Sequence, residues 1–358
     1  MKTIVVLGAG KIGRMVSHFL GSCGDYRLRV GDVERSAAAL ICHSLDAAEE
    51  FEVDFSSKTD LDAILKGADA VISCAPFHCN PLIAERAREA RVHYLDLTED
   101  VEVTRQVVDL SAGADSAFIP QCGLAPGFIT ICAVDLIKDM TEVQDLRMRV
   151  GALPRYPSNR LKYNLTWSTE GLINEYCQPC EVIRNGELQQ VQPLENLENL
   201  TIDGVEYEAF NTSGGLGSLA DSLKDKVRLV DYKSLRYPGH NYLLKFLLKD
   251  LRLQDNQDEL REIFERCLPA TFQDQIVIFV SATGTFRKRH TERTFARTIY
   301  HQQIEGENWS GIQITTAAGV CAVLDLLMAG KISQRGFVRQ EEVQLPEFLG
   351  NRFGRYYA

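Results

Sequence analysis

Along the first 125 residues, short apolar runs alternate with segments in which apolar side chains recur at helical intervals. A continuous run of apolar and β-branched residues is typical of a strand that is buried on both faces of a parallel sheet. Alternation of such strands with helices predicts βα units with right-handed crossovers, and therefore a Rossmann-type, doubly wound parallel sheet. The predicted strands are Thr3–Leu7, Tyr26–Val30, Phe51–Phe55, Ala68–Cys74, Val92–Leu97 and Ala117–Pro120.

The pattern changes after Val143, where strand-like runs follow one another with few helices between them. Such a pattern predicts a mixed α+β domain with a largely antiparallel sheet that is covered by helices on one face. Its predicted strands are Leu146–Val150, Val205–Phe210, Gln275–Ser281 and Thr298–Gln302, and its predicted helices are Leu235–Lys249 and Asp258–Cys267. A strongly apolar helix, Thr315–Met328, is expected to return to the first domain. The predicted domains are therefore 1–127, 128–310 and 311–358.

A glycine-rich turn follows the first predicted strand and begins a helix. Gly8, Gly10 and Gly13 have the G-x-G-x-x-G spacing. In such a turn the first glycine permits the sharp bend, the second lets the backbone approach a pyrophosphate, and the third lets the helix pack on the strand. Asp32 follows the second strand, where a carboxylate accepts hydrogen bonds from ribose hydroxyls and repels a 2′-phosphate. The motif predicts NAD, with NADP as the alternative because Arg35 lies close by in sequence.

Further residues of the cofactor site are predicted from the sheet, because ligands bind beyond the carboxyl ends of parallel strands. Cys74, Ala75 and Pro76 follow the fourth strand and would flank the ribose and the nicotinamide. The complete predicted cofactor set is Gly8, Gly10, Lys11, Ile12, Asp32, Val33, Asp54, Cys74, Ala75 and Pro76.

Composition narrows the class of protein further. The formal charge of −10 argues against nucleic-acid or anionic-membrane partners. No segment has the character of a signal peptide or a membrane span, so a cytoplasmic location and reduced cysteines are expected. Cys177 and Cys180 form a single C-x-x-C without the two further ligands that zinc needs, and no metal site is predicted.

Several residues compete for contact with a substrate. Asp96 ends a predicted strand on the ligand side of the sheet, where it would bind a cationic amine or accept a proton, or else serve as a helix cap or loop acceptor. Trp167 lies beside polar residues, among them Ser168, and either lines a ligand site or belongs to the core. Arg236 would bind an α-carboxylate, and His240 titrates near neutrality and would accept a proton.

Two glycine-rich segments complete the candidates. The segment 211–218 includes Thr212 and Ser213, and exposes backbone N–H groups and hydroxyls that suit a carboxylate cradle; the alternative is a loose surface loop. Gly123 and Leu124 belong to a turn rich in glycine and proline that leads into the second domain.

The chain resembles the saccharopine dehydrogenase-like oxidoreductases over nearly its whole length. The segments that carry the resemblance are Val6–Arg14, Gly31–Val33, Gly123–Gly127, Gly151–Pro154, Thr166–Ser168, Glu175–Tyr176, Val182–Gly186, Glu208–Phe210 and Arg236–His240. The resemblance implies an NAD(P)-linked oxidation at a carbon that bears an amine, or reduction of the corresponding imine. It also implies a Rossmann domain, a mixed substrate domain and a homodimer or higher homo-oligomer.

One departure favours a branch within that family. Saccharopine-forming members typically have Asp-Pro-Gly where this chain has Ala125-Pro126-Gly127, so it looks most like the L-lysine 6-dehydrogenases. The expected reaction is oxidative deamination of L-lysine at its ε-carbon. Saccharopine or carboxynorspermidine dehydrogenase activity, or a non-catalytic NAD-binding module, are the alternatives. The predicted catalytic residues are Asp96 and His240, and the predicted substrate-binding residues are Gly123, Leu124, Trp167, Ser168, Thr212, Ser213 and Arg236.

Overall fold

The computed structural model describes all 358 residues, which form two compact units. Unit 1 comprises Met1–Ile131 together with Gln313–Ala358, and unit 2 comprises Cys132–Ile312. The chain therefore leaves unit 1 within one helix and returns to it near the start of another.

Unit 1 contains a seven-stranded sheet in which every neighbouring pair is parallel. Its strands are β1 (Lys2–Leu7), β2 (Tyr26–Asp32), β3 (Ala48–Glu52), β4 (Ala70–Ser73), β5 (His93–Asp96), β6 (Ala117–Ile119) and β17 (Gly336–Phe337), in the spatial order β17-β6-β5-β4-β1-β2-β3. The order reverses at β1, so the crevice beyond the carboxyl end of β1 is the place where such sheets bind ligands.

The helices of unit 1 connect successive strands or follow the last of the chain's strands. They are α1 (Lys11–Ser22), α2 (Arg35–Cys42), α3 (Lys58–Leu65), α4 (Asn80–Ala90), α5 (Val101–Ser111), most of α11 (Gly311–Met328), and α12 (Leu345–Gly350); α6 (Phe128–Ile137) contains the boundary with unit 2. α11 is long and apolar enough to cross a membrane by composition alone, but 83% of it is buried inside the protein, as in a core helix.

Unit 2 contains an eight-stranded sheet that is antiparallel except for one parallel pair, β7 with β12. Its strands are β7 (Glu142–Pro154), β8 (Cys180–Arg184), β9 (Glu187–Val191), β10 (Glu198–Ile202), β11 (Val205–Asn211), β12 (Val227–Arg236), β13 (Asp274–Phe286) and β14 (Arg289–Tyr300). Six of them follow the order β10-β11-β12-β7-β13-β14, while β8 pairs with β12 and β9. A separate hairpin is formed by β15 (Gln302–Ile304) and β16 (Glu307–Trp309).

The helices of unit 2 are α7 (Thr169–Cys177), α8 (Leu219–Leu223), α9 (His240–Lys245), which continues into a π-helical turn (Phe246–Asp250), and α10 (Gln257–Cys267). Apolar residues of α7, α9 and α10 pack against the β11 residue Phe210 in one buried cluster, to which Leu172, Leu244 and Phe264 belong. This core fixes α7 and the start of α9 next to the ends of β11 and β12.

The predicted fold class is confirmed, with two corrections to the elements. Leu235 and Arg236 were predicted to begin a helix but end strand β12, because Pro238 and Gly239 (φ +97°) form a turn and helix α9 begins only at His240. The third strand was predicted at Phe51–Phe55 but is Ala48–Glu52. The strands that were not predicted are β8, β9, β10, β12, β15, β16 and β17; all except β12 are at most five residues long.

Candidate functional site

The glycine turn after β1 is closed by two backbone contacts that only glycine permits. Gly8 has φ +100°, and a Cβ there would lie 2.6 Å from the carbonyl oxygen of Cys74. A Cβ on Gly13 would lie 1.8 Å from the carbonyl oxygen of Gly8. The turn therefore packs against the end of β4 on one side and the start of α1 on the other.

Gly10 differs from its two neighbours in the motif, because a Cβ on it would meet no protein atom within 4 Å. It precedes the twelve-residue helix α1, which has no acidic residue in its first turn. A helix N-terminus presents unpaired N–H groups and the positive end of the helix dipole to an anion. The space beside Gly10 at this end of α1 is therefore open to an anion.

Asp32 lies at the carboxyl end of β2, directly beside the glycine turn. Its Oδ2 accepts a hydrogen bond from the Ala9 N–H (2.6 Å), and its Oδ1 accepts one from the Glu34 N–H (3.0 Å). The carboxylate is therefore held next to the turn that would bind the pyrophosphate. Arg35 forms an exposed ion pair with Glu50 of β3 (3.3 Å), so its charge is already matched.

Of the other predicted cofactor residues, some lie next to the glycine turn and one has no contact with it. Lys11 and Ile12 begin α1, and Val33, which is 55% exposed, follows Asp32. The carboxylate of Asp54 accepts hydrogen bonds from the N–H and hydroxyl of Ser56, which lower its pKa, and no contact joins it to the glycine turn.

Cys74, Ala75 and Pro76 follow β4, and Cys74 is tied to the turn by its N–H, which donates to the Leu7 carbonyl (2.7 Å). Burial raises the pKa of the Cys74 thiol to about 12, so the thiol is protonated at neutral pH. The glycine turn thus lies beside both Asp32 and the start of the segment after β4.

Asp96 is fully buried at the end of β5 and accepts three hydrogen bonds. Its Oδ1 accepts from the N–H groups of Thr98 and Gln121 (3.0 Å each), and its Oδ2 accepts from the Tyr94 hydroxyl (2.8 Å). Burial raises the pKa of Asp96 to about 6, against the lowering effect of these donors. The contacts are those of a loop acceptor that joins the ends of β5 and β6, the second of the two alternatives.

Gly123 and Leu124, both predicted to contact substrate, are buried in the turn that begins α6. Their carbonyl oxygens accept hydrogen bonds from the N–H groups of Phe128 and Ile129, each at 3.0 Å. A Cβ on Gly319 of α11 would lie 2.7 Å from the Gly123 carbonyl oxygen, so this turn packs tightly on α11.

Arg236, at the end of β12, is the centre of a buried polar cluster in unit 2 and is only 3% exposed. Its Nε donates to the Tyr176 hydroxyl (2.8 Å), and its Nη1 donates to the Leu235 carbonyl (2.8 Å). Its Nη2 lies 3.9 Å from Glu175 Oε2, an ion-pair distance too long for a hydrogen bond. The guanidinium carbon lies 5.0 Å from the ring centre of Tyr163 and 5.6 Å from that of Tyr176.

Trp167 and Ser168 lie at the edge of the same cluster. The half-buried indole of Trp167 donates from Nε1 to the Tyr163 hydroxyl (3.3 Å) and packs against the α7–α9–α10 core, so it is in contact with the core and with the polar cluster. The Ser168 hydroxyl accepts from the Gly171 N–H (3.2 Å) and caps α7.

His240 lies at the first position of α9 with both ring nitrogens engaged. Nδ1 is 2.8 Å from the Leu161 carbonyl oxygen, and Nε2 is 3.1 Å from the Tyr176 hydroxyl. Burial first, and the charge of Arg236 second, lower the pKa of His240 to about 3, so the imidazole is neutral at physiological pH. Its proposed role as a proton acceptor stays a prediction.

The hydroxyls of Thr212 and Ser213 are both tied to neighbouring groups. Thr212 shares a hydrogen bond with Ser234 (2.8 Å), and Ser213 donates to the Pro179 carbonyl (3.1 Å). A Cβ on Gly215 would lie 2.1 Å from the Tyr232 ring. This segment is therefore packed on β12, which differs from the loose surface loop of one alternative, and its contact with substrate stays a prediction.

Four residues of the cluster were given no chemical role by the sequence: Tyr163, Glu175, Tyr176 and Glu208. The segments Glu175–Tyr176 and Glu208–Phe210 were noticed only as part of a resemblance. Glu208 is buried, and its carboxylate accepts from the N–H groups of Gly239 and Asn241 on either side of His240. No local pattern reveals this, because its partners lie more than 30 residues away in the chain.

Comparison with known proteins gives two family models that together span most of the chain. The saccharopine dehydrogenase NADP binding domain matches residues 4–118, and the saccharopine dehydrogenase C-terminal domain matches residues 123–353. The first range includes the glycine turn and Asp32, and the second includes the Arg236 cluster.

Curated relatives include the mitochondrial alpha-aminoadipic semialdehyde synthases of Bos taurus and Rattus norvegicus. The bovine protein is 22% identical over 357 residues, which are 93% of this chain and 38% of the relative. The rat protein is 22% identical over 270 residues, which are 69% of this chain and 28% of the relative. The chain thus matches between 28% and 38% of the length of these two relatives.

Among solved structures, the apo saccharopine dehydrogenase (L-Glu forming) of Saccharomyces cerevisiae is similar over the whole fold. It has a TM-score of 0.79 and 16% sequence identity, and the match covers 100% of this chain and 96% of the yeast chain. At this level of identity the likeness shows the fold alone.

Proposed function

The chain belongs to the saccharopine dehydrogenase family of oxidoreductases, and from this premise we propose that it is an NAD-preferring dehydrogenase that oxidises L-lysine at its ε-carbon. The observation that carries the proposal is Arg236, a buried arginine between two tyrosine rings with a glutamate beside it. Such a group suits the head group of an amino acid, and the glycine turn of unit 1 suits a dinucleotide.

In unit 1, the backbone around Gly8, Gly10 and the start of α1 would bind the pyrophosphate, and Asp32 would accept from the adenosine ribose. The space beside Gly10 is consistent with this assignment. A bound nicotinamide dinucleotide supplies the hydride acceptor, while the protein binds, orients and excludes water.

NAD is proposed over NADP because two carboxylates act against a 2′-phosphate. Asp32 repels the phosphate directly. Glu50 is paired with Arg35, the arginine that would otherwise attract the phosphate. The two effects act in the same direction, so neither residue has to account for the whole preference.

In unit 2, Arg236 would bind the α-carboxylate of the substrate. A guanidinium has five N–H donors, and two of those on Arg236 are used within the protein. Glu175 would bind the α-ammonium group, since its carboxylate lies 3.9 Å from the guanidinium and the two charges of an amino acid are similarly close. This arrangement favours an amino acid over a diamine that lacks the carboxylate.

Oxidation also requires that the ε-ammonium lose a proton before hydride leaves. Asp96 and His240 were predicted as the acceptors, but the contacts of each favour another role, and the proposal assigns this proton transfer to neither. Asp96 holds two strand ends together, and His240 is neutral with its Nε2 lone pair hydrogen-bonded to the Tyr176 hydroxyl. A rate that rises with pH through the pKa of the amine itself is therefore expected.

The test is cofactor reduction by the purified protein, with NAD and NADP, across L-lysine, saccharopine, cadaverine and putrescine. L-Lysine with NAD should give the highest kcat/KM. Arg236→Met should raise KM for L-lysine and leave KM for cadaverine unchanged, whereas Arg297→Met, at an exposed arginine, should change neither. Failure of every amine with both cofactors would contradict the proposal.

A second candidate function is reductive formation of saccharopine, which the names of the matched family models favour. In this reaction Arg236 would again bind a carboxylate of the substrate, but the nicotinamide cofactor would donate hydride instead of accepting it. Oxidation of NADH or NADPH in the presence of L-lysine or L-glutamate and the matching oxo acid or semialdehyde would support it. A homo-oligomeric state and a cytoplasmic location stay predictions of the sequence.

A further inference from the structure

Three buried side chains are connected in series by hydrogen bonds, and the last of them is Arg236. Arg236 is 3% exposed, Tyr176 is 2% exposed and His240 is 1% exposed. They come from β12, α7 and the start of α9, and each contacts the next through one hydrogen bond. Because water does not compete for buried polar groups, the direction of each bond is set by the partners alone.

The donor and the acceptor of each hydrogen bond in this series can be assigned in turn, starting from Leu161. The Leu161 carbonyl oxygen only accepts, so His240 Nδ1 carries the proton of the neutral ring (2.8 Å). His240 Nε2 therefore has a lone pair and accepts from the Tyr176 hydroxyl (3.1 Å). With its proton directed at His240, the Tyr176 oxygen is left to accept from Arg236 Nε (2.8 Å).

We propose that this ordered relay from Leu161 through His240 and Tyr176 fixes the orientation of the Arg236 guanidinium, and that Tyr176 and His240 are positioning residues for carboxylate recognition. The inference rests on the proposed function for its kinetic consequence. The relay itself rests on the contacts alone.

The His240 end of the relay is held in place by further contacts. The Phe210 ring lies parallel to the imidazole, with centroids 6.2 Å apart and 9° between the planes. The Tyr163 ring lies 5.4 Å away on a tilted plane. Glu208 accepts from the N–H groups of Gly239 and Asn241 and so fixes the backbone on both sides of His240. The imidazole can neither rotate nor shift without breaking these contacts.

The Arg236 end of the relay leaves one part of the guanidinium available. Nε donates to Tyr176 and Nη1 donates to the Leu235 carbonyl, which leaves Nη2 on the side of Glu175. Without the Tyr176 hydroxyl, the guanidinium loses the contact that fixes its plane. A carboxylate bound equally in the ground state and the transition state then loses affinity without a change in the chemical step, so KM rises and kcat does not fall.

The kinetic test uses Tyr176→Phe and His240→Leu, each of which breaks the relay. KM for L-lysine should rise about tenfold in both, kcat should stay within about twofold, and KM for cadaverine should not change. His240→Gln should restore KM, because an amide N–H can donate to Leu161 and an amide oxygen can accept from Tyr176. Tyr207→Phe is the matched control, since it removes a hydroxyl that contacts Gln275 (3.3 Å) instead.

A second measurement keeps the relay testable if the protein oxidises none of the amines. The ¹⁵N shifts of the His240 ring should show a neutral, Nδ1-protonated imidazole from pH 5 to 8, with a changed Nε2 shift in Tyr176→Phe. The dissociation constant of L-lysine, measured by calorimetry on the NAD-loaded protein, should rise in that variant. Inactivity of the unmutated protein would overturn the proposed function only.

Two results would overturn the relay. One is an Nε2-protonated or charged His240. The other is an unchanged L-lysine KM, or dissociation constant, in a folded Tyr176→Phe variant.

Discussion

Four carboxylates in this protein differ in the groups that they face, and their proposed roles differ accordingly. Asp32 and Glu50 lie on neighbouring strands, where one faces the glycine turn and the other faces Arg35. Asp96 faces backbone N–H groups, and Glu208 does the same at the start of α9. The residue type is similar at all four positions, and only the partners distinguish the proposed cofactor selection by Asp32 and Glu50 from the backbone contacts of Asp96 and Glu208.

Cofactor choice gives the first residue-scale prediction. Asp32→Ala should raise the ratio of NADP to NAD kcat/KM by about tenfold or more, because it removes the charge that repels a 2′-phosphate. Glu50→Gln should raise it by a smaller factor, because it frees Arg35. Glu49→Gln, at an exposed neighbour on β3, is the control. An unchanged ratio in both variants would show that other residues set the preference.

Asp96 gives a pH-dependent prediction. Its folded-state pKa of about 6 lies above the ordinary 3.8, so its stabilising contribution is complete below about pH 4 and is lost as pH rises through 6. Asn mimics the neutral carboxyl, so Asp96→Asn should reduce the fall in unfolding free energy between pH 4 and 7 by roughly 2 kcal/mol. The measurement is urea denaturation at each pH.

Asp325 supplies a control of opposite sign for that experiment. Although burial raises its pKa, hydrogen bonds from Tyr26 and Arg352 lower it overall. Its contribution is therefore present at neutral pH and is lost as pH falls through the folded-state pKa. Asp325→Asn should lower stability at pH 7 more than at pH 3. Equal pH profiles for the two variants would contradict both assignments.

At the scale of elements, the turn from β1 into α1 separates ligand binding from folding within one motif. Gly13 is required by packing, because a Cβ would lie 1.8 Å from the Gly8 carbonyl oxygen. Gly10 has extended backbone (φ −73°, ψ −167°) that any residue adopts, and its Cβ position is open. The fold therefore tolerates a side chain at Gly10, but that side chain would occupy the space that a bound ligand needs.

That difference predicts opposite behaviour for two alanine variants. Gly10→Ala should keep the unmutated Tm and lose about tenfold or more in NAD affinity. Gly13→Ala should lower Tm, because the backbone of the turn has to move. Calorimetric unfolding with and without NAD measures both quantities. Normal NAD binding by Gly10→Ala would contradict the proposal that this turn binds the pyrophosphate.

At the scale of the whole molecule, the last residues of the chain complete the core of unit 1. Tyr357 is fully buried, stacks on Phe128 with centroids 3.9 Å apart, and donates to the Thr315 carbonyl (2.7 Å). The tail also binds Asp325 of α11, through Asn351 (2.8 Å) and Arg352 (2.6 Å). The C-terminal segment therefore packs against the start of α6, although the two are more than 220 residues apart in the chain.

The energetic weight of the tail can be measured at Tyr357. Tyr357→Phe should cost about 1 kcal/mol of unfolding free energy, because it removes one hydrogen bond. Tyr357→Ala should cost about 3–5 kcal/mol, because it also leaves a cavity against Phe128. Chemical denaturation of the full chain gives both values. A cost below about 1 kcal/mol for the alanine variant would show that the tail contributes little to the core.

The sequence by itself determined the fold class, the glycine turn and the carboxylate after β2. These features are local, since apolar periodicity and glycine spacing act within a few residues of the chain. It also singled out Trp167, Arg236 and His240 as chemically unusual residues. The helix predicted from Leu235 included Arg236 and the turn at Pro238–Gly239, whereas in the structure β12 ends at Arg236 and α9 begins at His240.

Only the tertiary structure decided what those residues face. Tyr176 meets Arg236 across 60 residues of chain, and His240 meets Leu161 across 79. Those meetings depend on the pairing of β11 with β12 and on the packing of α7 and α9 against Phe210. Burial in that core makes His240 neutral and directs its hydrogen bonds. A side chain's charge state and partners are set by the surroundings that folding creates, and no short stretch of sequence contains them.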